Sequence, residues 1–150
     1  KNELYALKEN AINQAYFNDL RALTKVGVLG YSYHFAGYNT DAYYLSEEHS
    51  VSLTIDEYNV VKMLLLKRAN IGVLNSIAYQ YFKDQKAFDM SLLYKSEIPD
   101  AVFDTHFLVN TQQSKISASK IDAILNSSAI KFQIKSLLNK YGVSSSFNIE

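Results

Sequence analysis

The chain has 150 residues, an apolar fraction of 48%, and 15 basic against 15 acidic side chains, enough for one ordinary domain or two very small ones. A net charge of zero argues against a chain built to coat nucleic acid or an anionic membrane, while leaving room for a local basic patch. The absence of cysteine removes disulfides, thiolate metal sites and a cysteine nucleophile, and it fits a cytoplasmic setting.

No membrane partner is expected. The central apolar run from Met63 to Leu66 is closed by Lys62 and Lys67, far short of a spanning helix. No signal peptide is visible, and a start at Lys1 predicts a fragment or a processed product. One proline and five glycines predict order nearly throughout.

The chain divides into modules over 1–53, 54–110 and 111–150. In the first, Leu4 and Leu7 share one face of a short helix at i and i+3. A second helix is predicted over 12–26, with Ile12, Tyr16, Leu20 and Leu23 on its apolar face. Gln14, Asn18, Arg21 and Lys25 lie on the opposite face. Gly27 takes the helix-ending role that needs no Cβ. Tyr31, Tyr33 and Phe35 alternate with Ser32 and His34, so a strand is predicted over 28–35. Turn chemistry over 36–41 and a returning strand over 42–45 complete a hairpin. His34 on that hairpin could make binding there depend on pH, though an ordinary strand residue is the preferred reading.

In the middle module, Thr54 and Glu57 match a capping box, and the longest helix is predicted from there to about Ala69. Residues 73–82 and 87–94 are ambiguous between strand and helix. Pro99 marks a break, and 101–109 reads as a strand. Pro99-Asp100 before an apolar strand invites comparison with the first acid of a metal-dependent nuclease. That chemistry needs a second acid and a lysine, and no E-x-K follows. A turn before a strand is the preferred reading.

The last module starts with a polar linker over 110–114. Helices are predicted from about Ser117 to Leu125 and from Ala129 to Tyr141, with Asn126-Ser127-Ser128 as the turn between them. Five lysines against Asp122 and Glu150 make this stretch basic. Lys131 and Lys135 stand at i and i+4 behind Ser127 and Ser128. A solvated lysine face is an equal reading.

The order short helix, helix with L-R-x-L-x-x-x-G, apolar pair Val28-Leu29 and hairpin ending Y-Y-L-S resembles the winged helix-turn-helix superfamily. The last module resembles a second helix-turn-helix, and a tandem of the two is similar to plasmid replication initiators. The resemblance implies an α+β fold with a β-hairpin wing. It also implies double-stranded DNA as partner and a dimer on half-sites. Carried over by position, Asn13, Gln14, Asn18, Arg21 and Lys25 would face the major groove. Tyr38 and Asn39 would sit at the wing tip, and Ser127, Ser128, Lys131 and Lys135 would meet phosphate.

The function so implied is non-enzymatic DNA binding in transcription, replication or plasmid-type mobilisation. The rival is a protein-interaction or adaptor domain without nucleic acid, using the tyrosine-rich hairpin. No cofactor, metal or catalytic residue is expected. His34, His49 and His106 are scattered, and neither a phosphate-binding glycine loop nor a G-x-S-x-G elbow occurs.

Overall fold

The computed structural model describes residues 1–103, 110, 112 and 115–140, which fall into two units, Lys1–Phe103 and Asp104–Glu150. The first apolar run, Leu4-Tyr5-Ala6-Leu7, does not alternate with polar residues. That is the pattern of a strand covered on both faces. It forms β1 (Asn2–Leu7), with Leu4 and Ala6 in one core layer and Tyr5 and Leu7 in the other.

Strand β2 (Lys25–Val28) pairs in parallel with β3 (Val51–Thr54) on one side and with β4 (Ile71–Asn75) on the other. β1 runs antiparallel to β4 and to β5 (Leu93–Lys95). The sheet order is β3-β2-β4-β1-β5, and β1 alone among these five runs against the rest.

Helices cover both faces. α1 (Ala42–His49) places Leu45 in the layer of Leu4 and Val51. α2 (Glu57–Leu65) and α3 (Ser76–Asp84) place Val60, Val61, Leu64 and Phe82 in the layer of Tyr5 and Val26. Each helix starts on an Asx cap: Asp41 accepts from the Tyr44 N–H at 2.8 Å, Asp56 from Asn59 at 2.8 Å and Asn75 from Ile77 at 2.8 Å. A sheet with helices on both faces and crossovers between parallel strands is an α/β architecture.

This fold overturns the winged helix. The predicted first helix is β1. The predicted second helix is two 3-10 turns, Gln14–Phe17 and Leu20–Ala22, followed by β2. The side chains of Asn13 and Asp19 accept from backbone N–H groups two residues on, which starts each turn and interrupts any continuous helix. Ile12, expected on the buried face, is 86% exposed.

Gly27 is not a helix terminus but lies inside β2, where a Cβ would collide with the Tyr33 hydroxyl. The predicted hairpin is absent. Gly30 turns the chain at φ +82, His34–Ala36 is a 3-10 turn, and residues 42–45 open α1 rather than a strand. Thr54 closes β3, and Asp56 caps the central helix in its place. Both ambiguous stretches change conformation partway: 73–82 is the end of β4 and most of α3, and 87–94 holds a 3-10 turn and the start of β5. Ala101 makes an isolated antiparallel bridge to Asn2, Val102 and Phe103 belong to no strand, and the remainder of the predicted strand, 104–109, lies outside the described residues.

The second unit contains α4 (Ala118–Leu125) and α5 (Ser128–Lys140), separated by Asn126 and Ser127. The expected helical pair is there, but not as a partner module to a winged helix. Positions 111, 113, 114 and 141–150, including the predicted helix end at Tyr141, lie outside the described residues.

Candidate functional site

The strands β2, β3, β4 and β5 share a direction, so their C-terminal ends form one edge of the sheet. In open α/β sheets this edge is where loops build ligand sites, especially where successive connections leave to opposite faces. That condition holds at β2. The chain leaves β2 for the face carrying α1, and leaves β3 and β4 for the face carrying α2 and α3.

Beside this point lies a cleft of about 210 Å³. Leu4, Phe17, Leu20 and Phe35 form its apolar walls. Gln14, Asn18, His34, Ser96, Glu97 and Asp100 supply its polar groups, and the exposed Ile98 forms its lip. The volume is below the roughly 300–1,000 Å³ of drug-sized sites and suits a smaller metabolite.

Asp100 organises the cleft. It is 7% exposed, and its two carboxylate oxygens accept from the His34 N–H at 2.9 Å and the Phe35 N–H at 3.1 Å. Tyr33, at the cap position of that 3-10 turn, makes no side-chain cap bond, so Asp100 supplies the acceptor from the other end of the unit. Burial pushes the Asp100 carboxyl above its ordinary range, and the two N–H donors and the His34 charge oppose that rise.

Gln14 fixes the opposite wall. Its amide donates to the Lys95 carbonyl at 3.0 Å and accepts from the Glu97 N–H at 2.8 Å, which ties the first 3-10 turn to the loop after β5. Within that loop the Ser96 hydroxyl donates to the Ile98 carbonyl at 2.8 Å.

Lys25 acts from behind the cleft. It is 1% exposed, and its Nζ donates to the Leu20 and Leu23 carbonyls, both at 2.6 Å. It also stands 5.6 Å from the centre of the Phe35 ring. Burial lowers the Lys25 pKa, and the Asp19 charge partly offsets this. The ammonium thus holds Leu20 and Phe35, both cleft residues, on one framework. At the same edge the Tyr31 hydroxyl donates to Glu57 at 2.7 Å, joining the loop after β2 to the start of α2. This bond pushes the Tyr31 pKa up to about 12.

The positions predicted to face DNA do not form one surface. Gln14 and Asn18 line the cleft. Asn13 caps the first 3-10 turn, and Lys25 is buried in β2. Arg21 projects into solvent with Asp19 at 3.7 Å. Tyr38 has φ +62 and packs edge-on against His34 and Phe103. The Asn39 side chain accepts from the Asp41 N–H. Ser127, Ser128, Lys131 and Lys135 belong to the second unit, where the Ser127 hydroxyl donates to the Ile124 carbonyl and its own carbonyl accepts from the Lys131 N–H.

The sequence invited a comparison of Asp100 with a metal-binding acid but favoured a turn before a strand. The structure spends both of its oxygens on backbone N–H groups, and among the described residues no three His, Asp or Glu side chains converge. The walls formed by Phe17, Phe35 and Leu4 carried no signal that distinguished them from core residues.

No protein-family model and no curated protein matches the chain. Among solved structures, one described as the crystal structure of the solute receptors for L-cysteine of Neisseria gonorrhoeae aligns with a TM-score of 0.38 and 14% identity. The alignment covers 61% of this chain and 35% of that one. The correction from winged helix to α/β rests on the strand order itself. No helix among the described residues is long and apolar enough to cross a membrane.

Proposed function

We propose that residues 1–103 form a non-catalytic binding module for a small amine-bearing molecule, held in the cleft beneath the loop that follows β5. The observation that supports this is the cleft's composition. Apolar walls from Phe17, Phe35 and Leu4 enclose polar groups that include two acids, Glu97 and Asp100, while neither lysine nor arginine lines it. An ammonium group would be attracted by both charges and find an acceptor in the Glu97 carboxylate, and a carboxylate would meet repulsion. His34 is the one lining side chain able to carry positive charge, and it stands at the rim.

Catalysis finds no support in the same geometry. Asp100 is occupied by two backbone donors, and no lining serine, threonine or cysteine is paired with a base.

The test is calorimetric titration of the full chain with a panel of small amines and matched carboxylates. Saturable binding of an amine, weakened about tenfold by Gln14→Ala through loss of its two loop-fixing bonds, is the expected result. Preference for carboxylates, or equal affinity in the Gln14→Ala variant, would overturn the reading.

A further inference from the structure

A second surface, away from the cleft, has the chemistry of a peptide-docking edge. Among the described residues, strand β3 ends the sheet and pairs with β2 alone. On the β2 side, the Lys25 N–H donates to the Ser50 carbonyl and the Leu29 N–H donates to the Thr54 carbonyl. Alternation then turns the peptide groups of Val51 and Leu53 toward the open edge.

Next to the end of this strand is a groove of about 290 Å³, lined by Thr54, Ile55, Lys62, Met63, Leu66 and Arg68 among others. Asn59, Lys62, Met63 and Leu66 follow one another at helical spacing on α2 and its continuation. Lys62 and Leu66 are exposed, while Met63 is half-buried and packs against the core that holds Val60, Val61 and Leu64. Ile55 is 83% exposed and Leu66 51% exposed, so apolar surface is offered directly to solvent.

The charge is one-sided. Lys62 and Arg68 are both exposed, and neither has a side-chain hydrogen bond or ion pair among the described residues. Among the described residues no acid lines the groove. The nearby Asp56 caps α2 through Oδ1, which accepts from the Asn59 N–H and side-chain amide, both at 2.8 Å.

We propose that this edge binds an extended acidic peptide segment of a partner protein. The segment adds as a strand beside β3, bonding the outward peptide groups of Val51 and Leu53. Its acidic side chains meet Lys62 and Arg68, and its apolar side chains rest on Ile55, Met63 and Leu66. Main-chain bonds supply register and the groove supplies selectivity, as in other strand-addition complexes. Two unpaired cations beside an unpaired strand select an acidic segment over a basic one.

The probe is a fluorescein-labelled octapeptide of two Glu-Glu-Val-Val repeats, so that either face of the strand carries both acidic and apolar side chains, titrated with the full chain and followed by anisotropy. Binding that weakens with salt is expected, with a loss of about tenfold or more in the double variant Lys62→Glu with Arg68→Glu. Both side chains are exposed, and circular dichroism checks that the variant keeps its fold. The same peptide N-methylated at every residue keeps its charge but offers no N–H to either edge, and it is expected not to bind. No binding of the unmodified peptide would overturn the proposal. Equal binding by the double variant, or by the N-methylated peptide, would overturn it as well.

Discussion

Replacing Tyr33 with phenylalanine isolates the part played by a single buried hydroxyl. Tyr33 is 0% exposed. Its hydroxyl accepts from the Val28 N–H at 2.7 Å and donates to the Val28 carbonyl at 2.8 Å. These bonds take over where the pairing of β2 with β4 ends, at Val26 and Gly72. The Val28 carbonyl also accepts from the Tyr31 N–H at 3.2 Å, so it keeps a partner in Tyr33→Phe, whereas the Val28 N–H is left without one. An orphaned buried donor costs about 1–3 kcal/mol and the lost hydroxyl bond about 0.5–1.5 kcal/mol, for a total near 2–4 kcal/mol. The ring is unchanged, so its stacking on Phe35, at 5.3 Å between centres, should persist. Against a typical stability of about 5–15 kcal/mol the loss is large enough to read clearly. Native-state hydrogen exchange by NMR measures it residue by residue, and the Val28 amide should lose the most protection. A loss under about 0.5 kcal/mol with Val28 still protected would refute the argument that the hydroxyl completes the ladder.

Three further substitutions test other parts of the unit. Lys25→Met should cost about 1–3 kcal/mol in urea unfolding at pH 7, since the Leu20 and Leu23 carbonyls lose a charged donor. The folded pKa of Lys25 lies below 10.5, so the unfolded chain binds more protons between the two values and stability should rise with pH across that window. The native-minus-variant difference isolates this slope, and a flat difference would contradict it. Asp100→Asn leaves one good acceptor for two donors, so the His34 or Phe35 amide should exchange faster. The folded pKa of Asp100 is raised above 3.8, so the native state holds its proton longer. The stability due to this group should therefore fall as pH rises from 3.8 through the folded value, and that fall should vanish in the variant. Gly72→Ala places a methyl against Leu64 and Val60 of α2 and should cost about 1–3 kcal/mol by thermal unfolding; an unchanged midpoint would mean that α2 can shift away.

What the sequence revealed differs between the two halves. The central helix and the C-terminal helical pair were legible because their apolar residues keep helical spacing over two turns or more. β1 was misread because a strand buried on both faces shows no alternation, and Leu4 and Leu7 then fall at a helical interval by coincidence. The stretch before β2 was misread because Tyr16, Leu20 and Leu23 pack into one layer from 3-10 turns and loop rather than from one helix. Asp41 decided the fate of 42–45: its cap bond to the Tyr44 N–H starts α1, although Tyr43-Tyr44-Leu45 suits a strand. Of the site, Gln14 and Asn18 were visible as polar positions but were given another role. The pairing of Asp100 with His34 and Phe35 spans more than sixty residues, and no local pattern encodes it.

The most direct test of the account is an NMR titration of the full chain with the tightest-binding amine of the panel. Shift changes centred on Gln14, Phe17, His34, Phe35 and residues 96–100, the walls of the cleft, are expected. Changes centred elsewhere, or none at saturating amine, would contradict it.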